Sequence, residues 1–129
     1  MRKRRQPKYG DLELRILSIL WERGPSTVRE VLDVLPGNPR PAYTTILTML
    51  RLMHEKGYLA RDERGKAHRY SARLKERSVK QGLLRGLLES AFGGSPEALL
   101  VRLFADERLS PEELARIKRL IEEKEREVE

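Results

Sequence analysis

Ala42-Tyr43-Thr44-Thr45-Ile46-Leu47-Thr48-Met49-Leu50-Arg51-Leu52-Met53-His54-Glu55-Lys56-Gly57 is a two-sided segment. Ile46, Leu47, Leu50 and Met53 recur at the three- and four-residue spacing that places side chains on one helical face. Thr44, Thr48, Arg51 and Glu55 fall on the other face. The spacing predicts a helix from about Ala42 to Lys56, with Gly57 as the residue that ends it. Pro36-Gly37-Asn38-Pro39-Arg40-Pro41, just before it, can be neither helix nor central strand and must be a loop.

Upstream lie two more helices. Leu12, Ile16, Leu17, Ile19 and Leu20 share a broad face, with Asp11 as the expected cap and Gly24-Pro25 as the stop. Thr27-Val28-Arg29-Glu30 fits a capping box, which opens a short helix carrying Val28, Val31, Leu32 and Leu35. Downstream, Tyr58–Arg61 and Ala67–Ser71 alternate weakly around Asp62-Glu63-Arg64-Gly65-Lys66, the pattern of a β-hairpin turning at Gly65. Beyond this everything reads as helix. Glu76–Phe92 ends at Gly93-Gly94, Ser95-Pro96-Glu97 caps a second helix, and Ser110-Pro111-Glu112-Glu113 caps a third. The expected fold class is mainly α with a small β-hairpin: a winged helix-turn-helix over residues 11–74, then an all-helical region over residues 75–129. Residues 1–10, with almost no apolar content, are expected to form a mobile basic tail.

Charge divides along the same line. The chain of 129 residues carries 27 Lys+Arg and 20 Asp+Glu, a net +7. Residues 1–75 account for +9 and residues 76–129 for −2. A basic front half suits a polyanion, and a near-neutral back half suits another task. In a winged helix the third helix enters the major groove and base edges are met by side chains at its leading end. Here that end offers Tyr43, Thr44, Thr45 and, one turn on, Thr48, with Arg51 placed to meet the backbone. Arg61, Arg64, Lys66 and Arg69 on the hairpin suit a wing over phosphates or the minor groove. Each of these also has a plainer explanation, as a polar helix face or an ordinary charged hairpin.

Several functions drop out. With no cysteine there is no disulfide, thiolate metal site or Cys nucleophile. His54 and His68 are far apart, no phosphate-binding glycine loop occurs, and the carboxylate pairs sit in strongly charged helices. No enzyme, cofactor or metal is expected. The longest apolar run, Ala98–Val101, is four residues, far short of a bilayer span, and no secretory signal is evident. The expected location is the cytoplasm. One Asn, two Gln and 19 Arg fit a heat-adapted chain or a GC-rich genome equally well.

Residues 12–31, including Trp21-Glu22-Arg23-Gly24-Pro25-Ser26-Thr27-Val28-Arg29-Glu30, together with Ala42-Tyr43-Thr44-Thr45 and Arg64-Gly65-Lys66-Ala67-His68-Arg69-Tyr70, resemble the penicillinase repressor family (BlaI/MecI/CopY type). Phe92-Gly93-Gly94-Ser95 is similar to a junction inside its dimerisation region, so the likeness spans about residues 9–125. The resemblance implies a homodimeric repressor on a double-stranded operator with dyad symmetry. It assigns Tyr43, Thr44, Thr45 and Thr48 to the recognition helix, and Arg64 and Lys66 to the wing. In one branch of the family a membrane sensor system releases the repressor by cleavage between Asn and Phe, and the matching candidate here is Leu103-Phe104, with Phe kept and Asn not. The copper-responsive branch uses C-terminal cysteines, which this chain lacks.

Pairing also has a physical argument. Residues 75–129 make three short helices, too small to be stable alone, since domains below about 70–80 residues are marginal. A second copy would complete a core around Leu84, Leu87, Leu88, Leu99, Leu100, Leu103, Phe104, Leu114, Ile117 and Ile121. The alternatives are that these helices pack on their own front half, that the chain binds DNA without sequence preference as an architectural protein, or that its winged helix is a protein-interaction adaptor.

Overall fold

A computed structural model describes residues 9–37 and 39–128. The expected tail falls largely on residues 1–8, outside the described residues. The element order is α1 (Asp11–Arg23), α2 (Val28–Val34), α3 (Tyr43–Glu55), β1 (Leu59–Asp62), β2 (Arg69–Ala72), α4 (Glu76–Ala91), α5 (Pro96–Asp106) and α6 (Pro111–Val128). This is the mainly helical class with one small antiparallel sheet that the sequence predicts. No helix among the described residues is long and apolar enough to cross a membrane.

The chain forms two compact units that divide within α4, between Leu84 and Arg85. In the first, α1 contributes Ile16, Leu17 and Leu20 to the core, α2 contributes Val31 and Leu32, and α3 contributes Ile46, Leu50 and Met53. Leu59 and Tyr70 close it from the hairpin. Residues at these spacings bury because an amphipathic helix gains about 1.5–3 kcal/mol for each large apolar side chain removed from water. Leu12, Ile19 and Leu47, also placed on the apolar faces by periodicity, are only partly buried against that cluster.

Local chemistry fixes the ends. The Thr27 hydroxyl accepts from the Glu30 amide (3.2 Å) and Glu30 Oε1 accepts from the Thr27 amide (3.1 Å), completing the capping box. Ser110 and Glu113 do the same at α6, at 3.0 and 3.2 Å. At α1 the cap is Gly10 rather than Asp11. Glu13 accepts from the Gly10 amide, so Asp11 becomes the first helical residue and places its charge against the positive end of the helix dipole.

The strands also differ from expectation. They pair Leu59 with Ala72 through Asp62 with Arg69, one residue later in β1 and up to two later in β2 than the alternation suggests. Tyr58 is held outside β1 because its amide donates to the Met53 carbonyl (2.9 Å), finishing α3, while Gly57 takes φ 84° to make that exit. A third short edge joins the sheet: the Ser26 amide donates to the Tyr70 carbonyl (2.9 Å) and the Tyr70 amide to the Ser26 carbonyl (2.8 Å). Trp21 Nε1 donates to the Leu74 carbonyl (2.9 Å), tying the end of the hairpin back to α1.

In the second unit, α5 and α6 bury no residue. Of the ten residues expected to form a dimer core, Leu88 is buried, Leu99 and Ile117 are half-buried, and the other seven are exposed in the single chain. Phe104, Leu114, Ile117 and Ile121 line a groove of about 320 Å³ along α5 and α6.

Candidate nucleic-acid interface

The packing of α3 dictates which of its side chains are free. Ile46, Leu50 and Met53 are committed to the core, so Tyr43, Thr44, Thr45, Thr48 and Arg51 are turned to solvent. They fall into two stripes. Tyr43 and Arg51, with Leu47 between them, face a groove of about 350 Å³ whose other wall is the hairpin: Arg61, Lys66, Ala67, His68 and Tyr70. Thr27, Val28 and Arg29 at the start of α2 close one side of it. Thr44, Thr45 and Thr48 line a neighbouring concavity with Met49 and Leu52. Of the nine residues assigned to the interface from sequence, Tyr43, Arg51, Arg61 and Lys66 therefore share one groove, and the three threonines share the flank beside it.

Arg64 and Arg69 line neither, and both are engaged in the free protein. Arg64 clasps Asp62: Nε donates to Oδ1 at 3.0 Å, Nη2 to Oδ2 at 2.9 Å, and the Arg64 amide to Oδ1 at 3.0 Å. The Arg64 side chain remains 91% exposed at the hairpin tip. Gly65 follows with φ 96°, a left-handed backbone value that glycine adopts without strain. The Arg64 hydrogen bonds, side-chain first, hold the Asp62 carboxyl down at about 2. Arg69 Nη1 donates to Glu30 Oε1 (3.0 Å), and Arg61 pairs with Glu63 (2.6 Å). Glu30 is itself held below the usual carboxylate range, first by its hydrogen bond from the Thr27 backbone and then by the Thr27 hydroxyl, with Arg69 adding to them. Three of the four hairpin cations thus carry a carboxylate partner, and Lys66 makes no ion pair among the described residues. A polyanion docking here would have to exchange those carboxylates for its own phosphates.

Sequence reasoning missed several residues on this surface, among them Arg29, His68, Met49 and Leu52. Arg29 stacks its guanidinium over the Tyr43 ring at 5.1 Å, joining α2 to α3. Its position just inside the capping box was the available signal. His68 lies on the groove wall and Leu52 on the flank. Leu52 sits among exposed positions of the α3 repeat, where an apolar residue calls for an explanation. Among the described residues no cluster of three or more His, Asp or Glu is placed to hold a metal ion.

The family profile described as penicillinase repressor matches residues 9–123. The chain is 32% identical over 118 residues to the transcriptional regulator BlaI of Mycobacterium tuberculosis (strain ATCC 25618 / H37Rv), covering 90% of this chain and 84% of the relative. It is 24% identical to the penicillinase repressor of Bacillus licheniformis, covering 91% of each. It is 18% identical to the methicillin resistance regulatory protein MecI of Staphylococcus aureus (strain N315), covering 91% of this chain and 95% of that one.

Proposed function

The chain belongs to the penicillinase repressor family, and from that premise we propose that it is a DNA-binding transcriptional repressor acting as a homodimer on an operator of dyad symmetry. One observation carries the placement of the interface: Arg29, Tyr43, Arg51, Arg61 and Lys66 converge on one groove from α2, α3 and the hairpin, beside the hydroxyl-bearing flank of α3. In this reading α3 lies in the major groove. Thr44, Thr45 and Thr48 meet base edges, Tyr43 and Arg51 meet the adjacent backbone, and the hairpin lies over phosphates. Arg64, Lys66 and Arg69 project from the hairpin as its backbone contacts, Arg64 and Arg69 after exchanging their carboxylate partners. Residues 11–74 form the winged-helix part and residues 75–129 the pairing part.

The homodimer is supported by the apolar side chains that α4, α5 and α6 leave in water. Leu84, Leu87, Leu100, Leu103, Phe104, Leu114 and Ile121 are all exposed in the single chain. A run of large apolar residues on short helices marks an association surface. Two joined copies would present two α3 helices to half-sites one helical turn, or a multiple of it, apart. Release by a sensor protease at Leu103-Phe104 belongs to the same proposal. That bond lies in the last turn of α5, where the Glu107 amide donates to the Leu103 carbonyl (3.0 Å), so cleavage would follow unwinding of this turn.

A gel-shift comparison at fixed salt tests the proposal. Duplexes selected from a random pool should bind at least a thousandfold more tightly than random duplex. Equal affinity for both would make the protein an architectural DNA binder. No binding at low salt would leave the protein-interaction reading.

A further inference from the structure

The flank of α3 is defined by what it lacks. Thr44, Thr45, Thr48, Met49 and Leu52 line a concavity of about 330 Å³, and none of them carries a guanidinium, an ammonium or a carboxamide. This surface therefore cannot form the two-point contacts by which Arg reads guanine and Asn or Gln reads adenine. It presents three hydroxyls, three threonine methyls, a thioether and the isobutyl group of Leu52. Leu52 is 44% exposed although the core side of its own helix is filled by Ile46, Leu50 and Met53. An apolar group in that position asks for an apolar partner. The major groove displays one, the C5-methyl of thymine. The neighbouring stripe of α3 carries Arg51 and faces Arg29, Arg61 and Lys66, cations suited to the phosphates on either side of such a base.

On the DNA-binding reading above, we infer that this flank reads thymine methyl groups, with Leu52 and Met49 as specificity-determining contacts and the threonine hydroxyls bonding to the neighbouring base edges. Thr45 is three and four residues from Thr48 and Met49, and Leu52 is four and three residues beyond them, so the four side chains share one face of the helix. From residue 45 to residue 52 the helix rises about 10 Å at 1.5 Å per residue. That length matches about three base-pair steps of 3.4 Å. Each half-site accordingly holds thymines at two or three neighbouring positions, on either strand.

The test is thymine-to-uracil replacement, which removes the methyl and leaves base pairing intact. Selected duplexes are made with single dT→dU changes through each half-site, and full-length protein is titrated against them by fluorescence anisotropy at fixed salt. Each contacted methyl should cost about fourfold in Kd, the equivalent of about 0.8 kcal/mol for one buried carbon. The salt slope should not change. Leu52→Ala should bring the uracil/thymine ratio at its own position towards one while the protein stays folded, because Leu52 lies outside the core. Binding without thymine/uracil discrimination at any position overturns this inference and leaves the DNA-binding reading standing. Wild-type discrimination in Leu52→Ala removes Leu52 from it. A smaller sedimenting species for the free Leu52→Ala protein would make the flank a protein interface and overturn the inference. No binding to either duplex overturns the DNA-binding reading and this inference together.

Discussion

Asp62→Asn should tighten binding to DNA. In the free protein Asp62 holds the Arg64 side chain through Nε and Nη2 at 3.0 and 2.9 Å, and the pair stands at the tip of the hairpin with that side chain 91% exposed. The pair cancels its own charge where a phosphate would lie. Removing the carboxylate leaves one uncompensated cation and takes away one anion facing the duplex. One additional phosphate neutralised adds about 0.9 to the magnitude of the slope of log K against log salt. At 0.1 M salt, relative to 1 M, that corresponds to about an eightfold gain in affinity. The gain should be the same on operator and on random duplex, because a phosphate contact carries no sequence information. Arg64→Ala should do the reverse, and the double variant should lie near the wild type. The fold should be little affected, since an exposed ion pair contributes little to stability. Anisotropy titrations of all four proteins at four salt concentrations measure this directly. Unchanged affinity and slope in Asp62→Asn would refute the placement of the hairpin tip against phosphate. A gain confined to the operator would refute its assignment as a backbone contact.

Three further outcomes are expected. Thr45→Ala should change base preference at one or two positions while leaving the salt slope alone, and an unaltered profile of selected sequences would remove Thr45 from the readers. Asp62 should titrate at about 2, below its ordinary 3.8, as measured by NMR of the side-chain carboxyl. Because the folded value is the lower one, the stabilisation from the Arg64 pair is whole above pH 4 and disappears as pH falls through 2, and a normal carboxylate titration would show that the clasp does not persist in solution. Phe104→Asp, in the groove with Leu114, Ile117 and Ile121, should weaken pairing at least a hundredfold, about 2.7 kcal/mol, by placing a carboxylate in an apolar contact. Sedimentation equilibrium that still shows a wild-type dimer would exclude this surface.

The helices were legible because their signals are local. Thr27 with Glu30 and Ser110 with Glu113 mark starts by pairing chemistry within a single turn, Ser95 before Pro96 marks another, and the caps form in the fold, with the Ser95 hydroxyl accepting from the Ala98 amide. The core followed from the α1, α2 and α3 repeats for the same reason. What was not legible depends on distant partners. Ser26 pairs with Tyr70 across 44 positions, and nothing in Pro25-Ser26-Thr27 announces a strand. Asp11 lost the cap because Glu13 reaches back to Gly10, a choice between two acids that spacing alone does not make. At the interface, the residue types on α3 and the hairpin were readable, but their ion pairs were not. The Arg69–Glu30 contact joins the hairpin to α2, and it turns a cation expected to be free into one that must be released. Arg29 was overlooked because its role comes from a ring on the next helix.

In the proposed complex two chains place two α3 helices on one duplex. Hydroxyl-radical footprinting of a selected operator, with the number of chains per duplex counted by sedimentation on the same complex, tests it most directly. Two chains per duplex are expected, with two protected segments related by a dyad, their centres about 10–10.5 base pairs apart or a multiple of that. One chain bound at full affinity over a single protected segment would contradict it.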